Sequence, residues 1–279
     1  MQFAMFSKHL DMLGLSVDEV AQDMKGIGLD GVDLTVRPGG RVEPKDVENR
    51  LPEVCAQFAQ YGLEVSQLTT AIDSIHSPYA EAIFDTASEC GIPAIKLGYW
   101  TLRNPREFWS LYEYARVQLA GIASLAEQYG VSANIHIHSG PYLSATAPVV
   151  YMLLDEVCSP SSVGAYIDTG HMLIEGGYDG WRQGMIMLAP YINLVALKGY
   201  SWAAVEEDGK TKVARKMLGF SESMQDWKQI FTLLRDFGYD GTVSLHSEYG
   251  ELDRAGLVAQ TKSDLQVIKD TLAEIAAEK

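Results

Sequence analysis

The stretch QYGVSANIHIHSG, residues 128–140, joins the end of a helical pattern to a short β-rich run and a polar loop. Gly130 is typical of a helix end, because glycine adopts the left-handed conformation at little steric cost. The alternation in SANIHI (132–137) is the two-residue period of a strand. It places His136 and His138 on one face, at the carboxyl end of that strand.

The same unit of a β-rich run, a polar loop and a helical segment recurs along the chain. The strand candidates are QFAMF (2–6), GVDLTV (31–36), LEVSQL (63–68), AIKLGY (94–99), SANIHI (132–137), GAYID (164–168), LVALK (194–198) and TVSLH (242–246). The helix candidates begin near Val17, Pro44, Pro78, Pro105, Ala147, Tyr178, Ser223 and Thr261. Eight strand-then-helix units in 279 residues predict an α/β fold, the (β/α)8 TIM barrel.

An open, doubly wound parallel sheet is the alternative fold for this pattern. A GxGxxG sequence in the first turn between strand and helix would favour that sheet, but SKHLDML (7–13) stands there instead. No linker rich in Pro, Gly or Ser divides the chain, so we expect one domain over residues 1–279.

Composition narrows the possible partners and the compartment. A net charge of −15 argues against nucleic acid or an anionic membrane, since both are bound by basic surfaces. The N-terminal residues lack the pattern of a signal peptide, and no apolar run approaches the length of a membrane span. Cys55, Cys90 and Cys158 are far apart in sequence, which suits a reducing compartment. We therefore expect a cytoplasmic protein.

Histidines cluster at the predicted strand ends, where TIM barrels carry their reactive groups. Four of the six histidines follow three strands: His136 and His138, then His171, then His246. One histidine at a strand end is usually solvated or bonded to the backbone, but a cluster of four indicates a functional site. The other polar or aromatic side chains at strand ends include Lys8, Arg37, Lys96, Tyr99, Trp100, Asp168, Lys198 and Glu248.

Five segments resemble, in order and spacing, the xylose isomerase-like TIM barrels, the superfamily of sugar phosphate isomerases and epimerases and of family 2 AP endonucleases. They are GVDLTVR, NIHIHSG, YIDTGHM, LVALKGY and GTVSLHSEY, and YIDTGHM is the most specific. The resemblance spans nearly the whole chain. It implies an enzyme acting on a sugar or keto-sugar, and a homo-oligomer is a further expectation from the family.

The resemblance also implies one divalent metal, held in the family by Glu, Asp, His and Glu from four successive strand ends. Asp168 matches the aspartate, whereas His136 and His246 occupy the two glutamate positions and Ala196 the histidine position. The predicted ligands are therefore His136, Asp168 and His246, with Glu248 as a possible fourth. Such a set suits Mn²⁺, Zn²⁺, Fe²⁺, Ni²⁺ or Co²⁺.

Two interpretations of the site remain open. In the first, the metal polarises a carbonyl and an adjacent hydroxyl of the sugar. In the second, no metal is held, and His136 and His246 act as acid and base across the substrate. The predicted catalytic residues are His136, His246, Lys198 and Glu248. Lys198 keeps the lysine of the family, although Gly199 replaces the aspartate that often follows it.

The remaining strand-end residues are predicted to bind substrate. They are Arg37, Lys96, His138, His171, Trp100 and Trp202, the cations as partners for substrate oxygens and the tryptophans as walls that stack on sugar faces. Three functions follow: a sugar isomerase or epimerase that transfers a proton next to a carbonyl, a keto-sugar lyase or dehydratase, and a carbohydrate-binding barrel without catalysis. The last is suggested by Ala196.

Overall fold

A computed structural model of the protein describes residues 1–157 and 159–278. Eight parallel strands close into a barrel in the order β1-β10-β7-β6-β5-β4-β3-β2. These strands are β1 (Gln2–Phe6), β2 (Gly31–Val36), β3 (Glu64–Thr70), β4 (Ala94–Lys96), β5 (Ser132–His136), β6 (Val163–Asp168), β7 (Ile192–Leu197) and β10 (Thr242–Leu245). The predicted TIM barrel is confirmed, and the open sheet is wrong.

Helices connect the strands and cover the barrel. They are α1 (Lys8–Met12), α2 (Val17–Ile27), α3 (Val47–Ala59), α4 (Ala80–Glu89), α5 (Phe108–Tyr129), α6 (Ala147–Val157), α7 (Thr169–Leu188), α8 (Trp227–Asp236) and α9 (Arg254–Ala277). Short 3-10 turns span Pro44–Asp46, Pro105–Glu107, Leu143–Ala145 and Ala189–Tyr191. In the described part of the chain, no helix combines the length and apolar character that crossing a bilayer requires. The one-domain organisation stays a prediction.

Side-chain caps begin α7 and α9 earlier in the sequence than the predicted helix starts. The Asp168 carboxylate accepts hydrogen bonds from the backbone N–H groups of Gly170 and His171, so α7 begins at Thr169. The helix is broken at Gly177, where φ is 63° and ψ is −146°, and its second part begins near Tyr178, as predicted. Asp253 caps α9 in the same way, which moves its start from Thr261 to Arg254.

A polar cluster fills part of the barrel interior, while the apolar side chains of the strands pack outward against the helices. Asp33 of β2 is fully buried there. Its carboxylate accepts hydrogen bonds from the side chains of Gln67, Thr69, Tyr166 and Ser244. Buried carboxylates need such partners, so this network holds β2 against β3, β6 and β10.

An antiparallel hairpin, β8 (Tyr200–Glu207) and β9 (Lys210–Met217), follows β7 and was not predicted. Its turn, Asp208-Gly209, has φ of 54° and 69°, and Asp-Gly is a strong hairpin signal. The chain returns from β9 directly over Gly199, where an added Cβ would lie 2.4 Å from the Leu218 carbonyl oxygen. The hairpin thus explains why this position holds glycine.

We expect Gly199→Ala to destabilise the fold by about 1–3 kcal/mol, because the new methyl group meets backbone that cannot rotate away. Urea unfolding would measure the loss. Gly180→Ala is the matched control: Gly180 lies in α7 with open space around its Cβ position, so alanine there should be neutral or slightly stabilising. Equal midpoints for Gly199→Ala and the wild type would contradict the expectation.

Candidate active site

Three buried atoms converge at the carboxyl ends of β5, β6 and β10. His136 Nε2 lies 3.4 Å and His246 Nδ1 3.8 Å from Asp168 Oδ2, and all three atoms lie within 4.8 Å of one another. The side chains are at most 4% exposed, and none of the three atoms has a hydrogen-bond partner among the residues described. Unsatisfied buried polar atoms are rare, and two imidazoles with one carboxylate are a common metal-ligand set. These residues therefore fit a divalent ion.

Two tyrosines hold the other nitrogens of these histidines. The Tyr166 hydroxyl lies 3.0 Å from Asp33 Oδ2 and 2.7 Å from His246 Nε2. Since a carboxylate only accepts, the hydroxyl donates to Asp33 and accepts from His246 Nε2–H. In the neutral ring, this arrangement leaves His246 Nδ1 without a proton, as a metal ligand requires. The Tyr99 hydroxyl contacts His136 Nδ1 at 2.8 Å and is placed to fix that ring in the same way.

Sequence reasoning missed Asp33 and Tyr166, and it placed Tyr99 at a strand end as an aromatic side chain but not as the partner of His136. Signals for the first two were present. Asp33 interrupts the apolar run GVDLTV, where a buried carboxylate needs a reason, and Tyr166 stands two residues before Asp168 and so shares its face of the strand. Tyr166 also packs with Ala94, Leu194 and Ala196, so its ring adjoins the position where the family has its histidine ligand.

We expect Tyr166→Phe to weaken metal binding by about tenfold to a hundredfold, because His246 loses the partner that sets its tautomer and orientation. A competition titration against a chromophoric chelator would measure the affinity. Tyr178→Phe removes a hydroxyl from a side chain that is 90% exposed and should leave the affinity unchanged. Wild-type affinity in Tyr166→Phe would contradict this role.

Lys198 is the buried cation of the site. Its Nζ lies 2.7 Å from Glu248 Oε2, 3.5 Å from Asp168 Oδ2 and 3.0 Å from His171 Nε2, and the residue is 1% exposed. Burial alone would lower the pKa of Lys198, but the Asp168 and Glu248 carboxylates outweigh it and raise that pKa above its usual value. The ammonium is therefore charged at neutral pH.

The acids of the site are ionised at neutral pH. Burial would raise the pKa of Asp168, but His171, Lys198 and His136 together hold it well below its usual value. Burial also lowers the pKa of His171 to about 3, so that imidazole is neutral at pH 7 and Lys198 supplies the positive charge. The pKa of Glu248 is depressed too, because Lys198, His246 and Lys8 outweigh its burial.

A small cavity of about 100 Å³ opens above these groups. Its lining residues are Phe6, Lys8, Arg37, Thr69, Lys96, Tyr99, His136, His138, Tyr166, Lys198, His246 and Glu248. Glu248 lines the cavity between two lysines, with Oε1 3.0 Å from Lys8 Nζ, and lies outside the cluster of three ligand atoms. A wider depression of about 580 Å³ shares Lys8 and Arg37 with the cavity.

The structure brings three of the six predicted substrate-binding residues, Arg37, Lys96 and His138, to this cavity and places the other three elsewhere. His171 lies behind Lys198, where its ring contacts the Ser139 hydroxyl. Trp100 is buried, and its indole N–H donates to the Asp73 carbonyl, so its ring does not line the cavity. Trp202 lies on the hairpin and lines a separate groove beside α7.

Comparison with known proteins gives a family and a fold. The model of the xylose isomerase-like TIM barrel family matches residues 21–271. A structure of L-ribulose 3-epimerase is 16% identical, covers 99% of this chain and 96% of its own, and has a TM-score of 0.74. The probable 3-DHS dehydratase AsbF of Bacillus anthracis is 17% identical, covers 94% and 98%, and has a TM-score of 0.72.

A third structure, a xylose isomerase-like TIM barrel protein from Mycobacterium smegmatis in complex with magnesium, is 18% identical over 91% of this chain and 89% of its own, with a TM-score of 0.70. Comparison with curated proteins finds no sequence match. At these sequence identities the structural likeness establishes the barrel fold alone, so the chemistry has to be argued from the residues of the site.

Proposed function

Because the chain belongs to the xylose isomerase-like TIM barrel family, we propose that it is a sugar or sugar-derivative isomerase or epimerase. It would act by proton transfer next to a carbonyl, as similar structures are sugar epimerases. The observation that carries the proposal is the convergence of three ligand atoms that lack hydrogen-bond partners beside a charged lysine, at the base of a cavity in the barrel mouth.

His136, Asp168 and His246 would hold one Mn²⁺, Zn²⁺, Fe²⁺, Ni²⁺ or Co²⁺ ion. When bound, such an ion supplies polarisation of the substrate carbonyl and of its neighbouring hydroxyl. The ligand atoms fit this role because their other partners already set their orientation, and because Asp168 is ionised at neutral pH. A solution oligomer and a cytoplasmic location stay predictions.

Lys198 and Glu248 would act on the substrate directly. The Lys198 ammonium lies beside the ligand cluster and can donate a hydrogen bond to the oxyanion that forms when the proton leaves. Glu248 is the carboxylate among the described cavity residues, and its ionised form can accept that proton. Its ion pairs with Lys8 and Lys198 make it a weak base, so displacement of the half-exposed Lys8 by substrate would strengthen it.

A histidine acid–base pair without metal receives less support. Burial lowers the pKa of His136 well below its usual value, so the imidazole is neutral at pH 7 and cannot serve as the acid. Its unpaired nitrogen also points at the same small space as that of His246. Atoms within 4.8 Å of one another leave room for an ion between them and not for a sugar carbon with its substituents.

Incubation with ketoses in deuterated water tests the proposal. We expect solvent deuterium at one carbon next to the carbonyl in the recovered sugar, detected by NMR, and its loss in Glu248→Gln. Lys228→Met is a suitable control, since Lys228 lies on the exposed surface of α8 and pairs with Glu274 and Glu278. Saturable sugar binding without any exchange would overturn the catalytic proposal in favour of a binding barrel.

A lyase or dehydratase is the second candidate, because a structural neighbour is a probable dehydratase. Removal of the proton next to the carbonyl gives an enolate, and an enolate can also expel a substituent at the β-carbon. The charged Lys198 lies where a leaving hydroxyl could take up a proton. In the same experiment, a new unsaturated or shortened product would favour this reaction over isomerisation.

A further inference from the structure

The cavity carries more positive charge than its own acids balance. Four cationic side chains line it, namely Lys8, Arg37, Lys96 and Lys198, against one carboxylate, Glu248. Glu248 pairs with Lys8 and Lys198, at 3.0 and 2.7 Å. Arg37 and Lys96 are left without an acidic partner among the residues described.

Lys96 is an unusual lysine. At the end of β4 it is only 2% exposed, and its Nζ makes no hydrogen bond or ion pair within the described chain. The Nζ instead lies 3.7 Å from the centre of the Tyr99 ring. The charge of Asp33 raises the pKa of Lys96, but the Asp33 oxygens already accept hydrogen bonds from four other side chains. Burial, then the nearby Arg37, lowers the pKa of Lys96 to about 7.

Arg37 stands directly after β2, with its guanidinium 5.8 Å from the centre of the Phe6 ring. It lines both the cavity and the wider depression beside Gly39 and Gly40. Among the described residues it too has no carboxylate partner. Two neighbouring cations facing one cavity repel each other and lose hydration, which is costly unless a third group compensates them.

We infer that the substrate carries an anionic group, a carboxylate or a phosphate, and that Arg37 and Lys96 bind this group on the β2–β4 side of the cavity. The inference rests on the proposed function for the identity of the rest of the molecule, a keto-sugar. Both cations match such a group, since guanidinium pairs with carboxylate and phosphate through two hydrogen bonds. A net charge of −15 would otherwise repel an anion, so local cations are needed to admit one.

The test uses three sugars that share a carbon skeleton and differ at C6: D-fructose with a hydroxyl, D-fructuronate with a carboxylate and D-fructose 6-phosphate. Titration calorimetry at constant ionic strength would measure binding, with inorganic phosphate as a fourth probe. We expect at least one sugar acid to bind about tenfold or more tightly than D-fructose. The sugar acid that binds more tightly identifies the anionic group as carboxylate or phosphate. If inorganic phosphate alone competes with it for binding, the group is phosphate.

Arg37→Gln and Lys96→Met should each lower the affinity for the preferred anionic sugar by about tenfold to a hundredfold. The affinity for D-fructose should stay within about twofold of the wild-type value. Arg50→Gln, an exposed arginine on α3, is the matched control and should change neither. Lys96→Met should fold well, because it removes a buried cation that has no partner. Arg37→Gln removes the other proposed partner of the substrate anion, and Arg37 is only half-buried.

Equal affinity for all three sugars with no binding of phosphate, or anion binding that survives both substitutions, would overturn the inference. These outcomes are separable from failure of the proposed reaction. Deuterium exchange on D-fructose without any preference for the acids would leave the isomerase and remove the anion subsite. Selective anion binding without exchange or a new product would keep the subsite and remove the isomerase.

Discussion

Replacing Asp168 by asparagine is expected to abolish metal binding and with it the deuterium exchange. Asparagine can still accept the two backbone N–H bonds that begin α7, so the local fold should survive. The substitution removes the negatively charged ligand that, together with His136 and His246, would hold the ion. We expect the metal affinity to fall at least about 100-fold and the exchange rate by about 10³-fold.

Elemental analysis of the purified proteins would check this first, with about one divalent ion per chain expected in the wild type. His136→Ala should lose the ion as well. Asp236→Asn, at the exposed end of α8, is the control and should retain it. A wild-type protein that takes up no ion after soaking in Mn²⁺, Zn²⁺, Ni²⁺ and Co²⁺ would sink the metal-assisted proposal.

Lys198→Met is expected to destabilise the protein by about 3–5 kcal/mol at pH 7. The substitution leaves the Asp168 and Glu248 carboxylates, at most 19% exposed, without their shared ammonium. Removing one partner of a buried ion pair costs the desolvation of the other, which packing by methionine does not recover. Urea unfolding of chelator-treated protein would measure the loss without the contribution of a metal.

The pH dependence of this loss follows from the direction of the shifts. The pKa values of Asp168 and Glu248 are depressed in the folded state, so their stabilising effect is present above the unfolded pKa of about 4 and is lost as the pH falls below it. The pKa of Lys198 is raised, so its contribution is complete at pH 7 and declines only in strong alkali. The difference between wild type and variant should therefore be largest near neutrality and shrink towards pH 3.

Lys228→Met is the matched control for this prediction. Lys228 also contacts two glutamates, Glu274 and Glu278, but the pairs lie in solvent, where they contribute little to stability. Its unfolding midpoint should match that of the wild type at every pH. Wild-type stability of Lys198→Met at pH 7 would show that the buried ion pairs do not hold the site together.

The barrel could be predicted from sequence because a β-rich run, a polar loop and a helical segment recur eight times, and several of the units end in a glycine that stops the helix. The strand ends could be placed within a few residues, and they located the polar groups that surround the cavity. Side-chain direction past those ends could not be predicted. The prediction of Glu248 as a fourth ligand assumes that the strand continues past residue 246. The strand ends at Leu245, and the Glu248 N–H donates to the His246 carbonyl in a tight turn.

That turn keeps Glu248 out of the cluster of His136, Asp168 and His246 and places it between two lysines. The prediction that Trp100 and Trp202 line the site was wrong for a related reason. Past the end of a strand, side-chain direction is set by the loop and no longer by the alternation of the sheet. The Asp33 network lay outside reach for another reason: its members come from four strands, and only closure of the barrel brings them together.

The return of the hairpin over Gly199 also restricts the order in which this lineage could change. The hairpin disfavours the aspartate that often follows the lysine in the family, because a side chain at position 199 would meet the Leu218 carbonyl. We expect an ancestor carrying that aspartate to lose it before or together with the gain of the hairpin. Reconstructed ancestors that contain the hairpin should therefore all have glycine at this position.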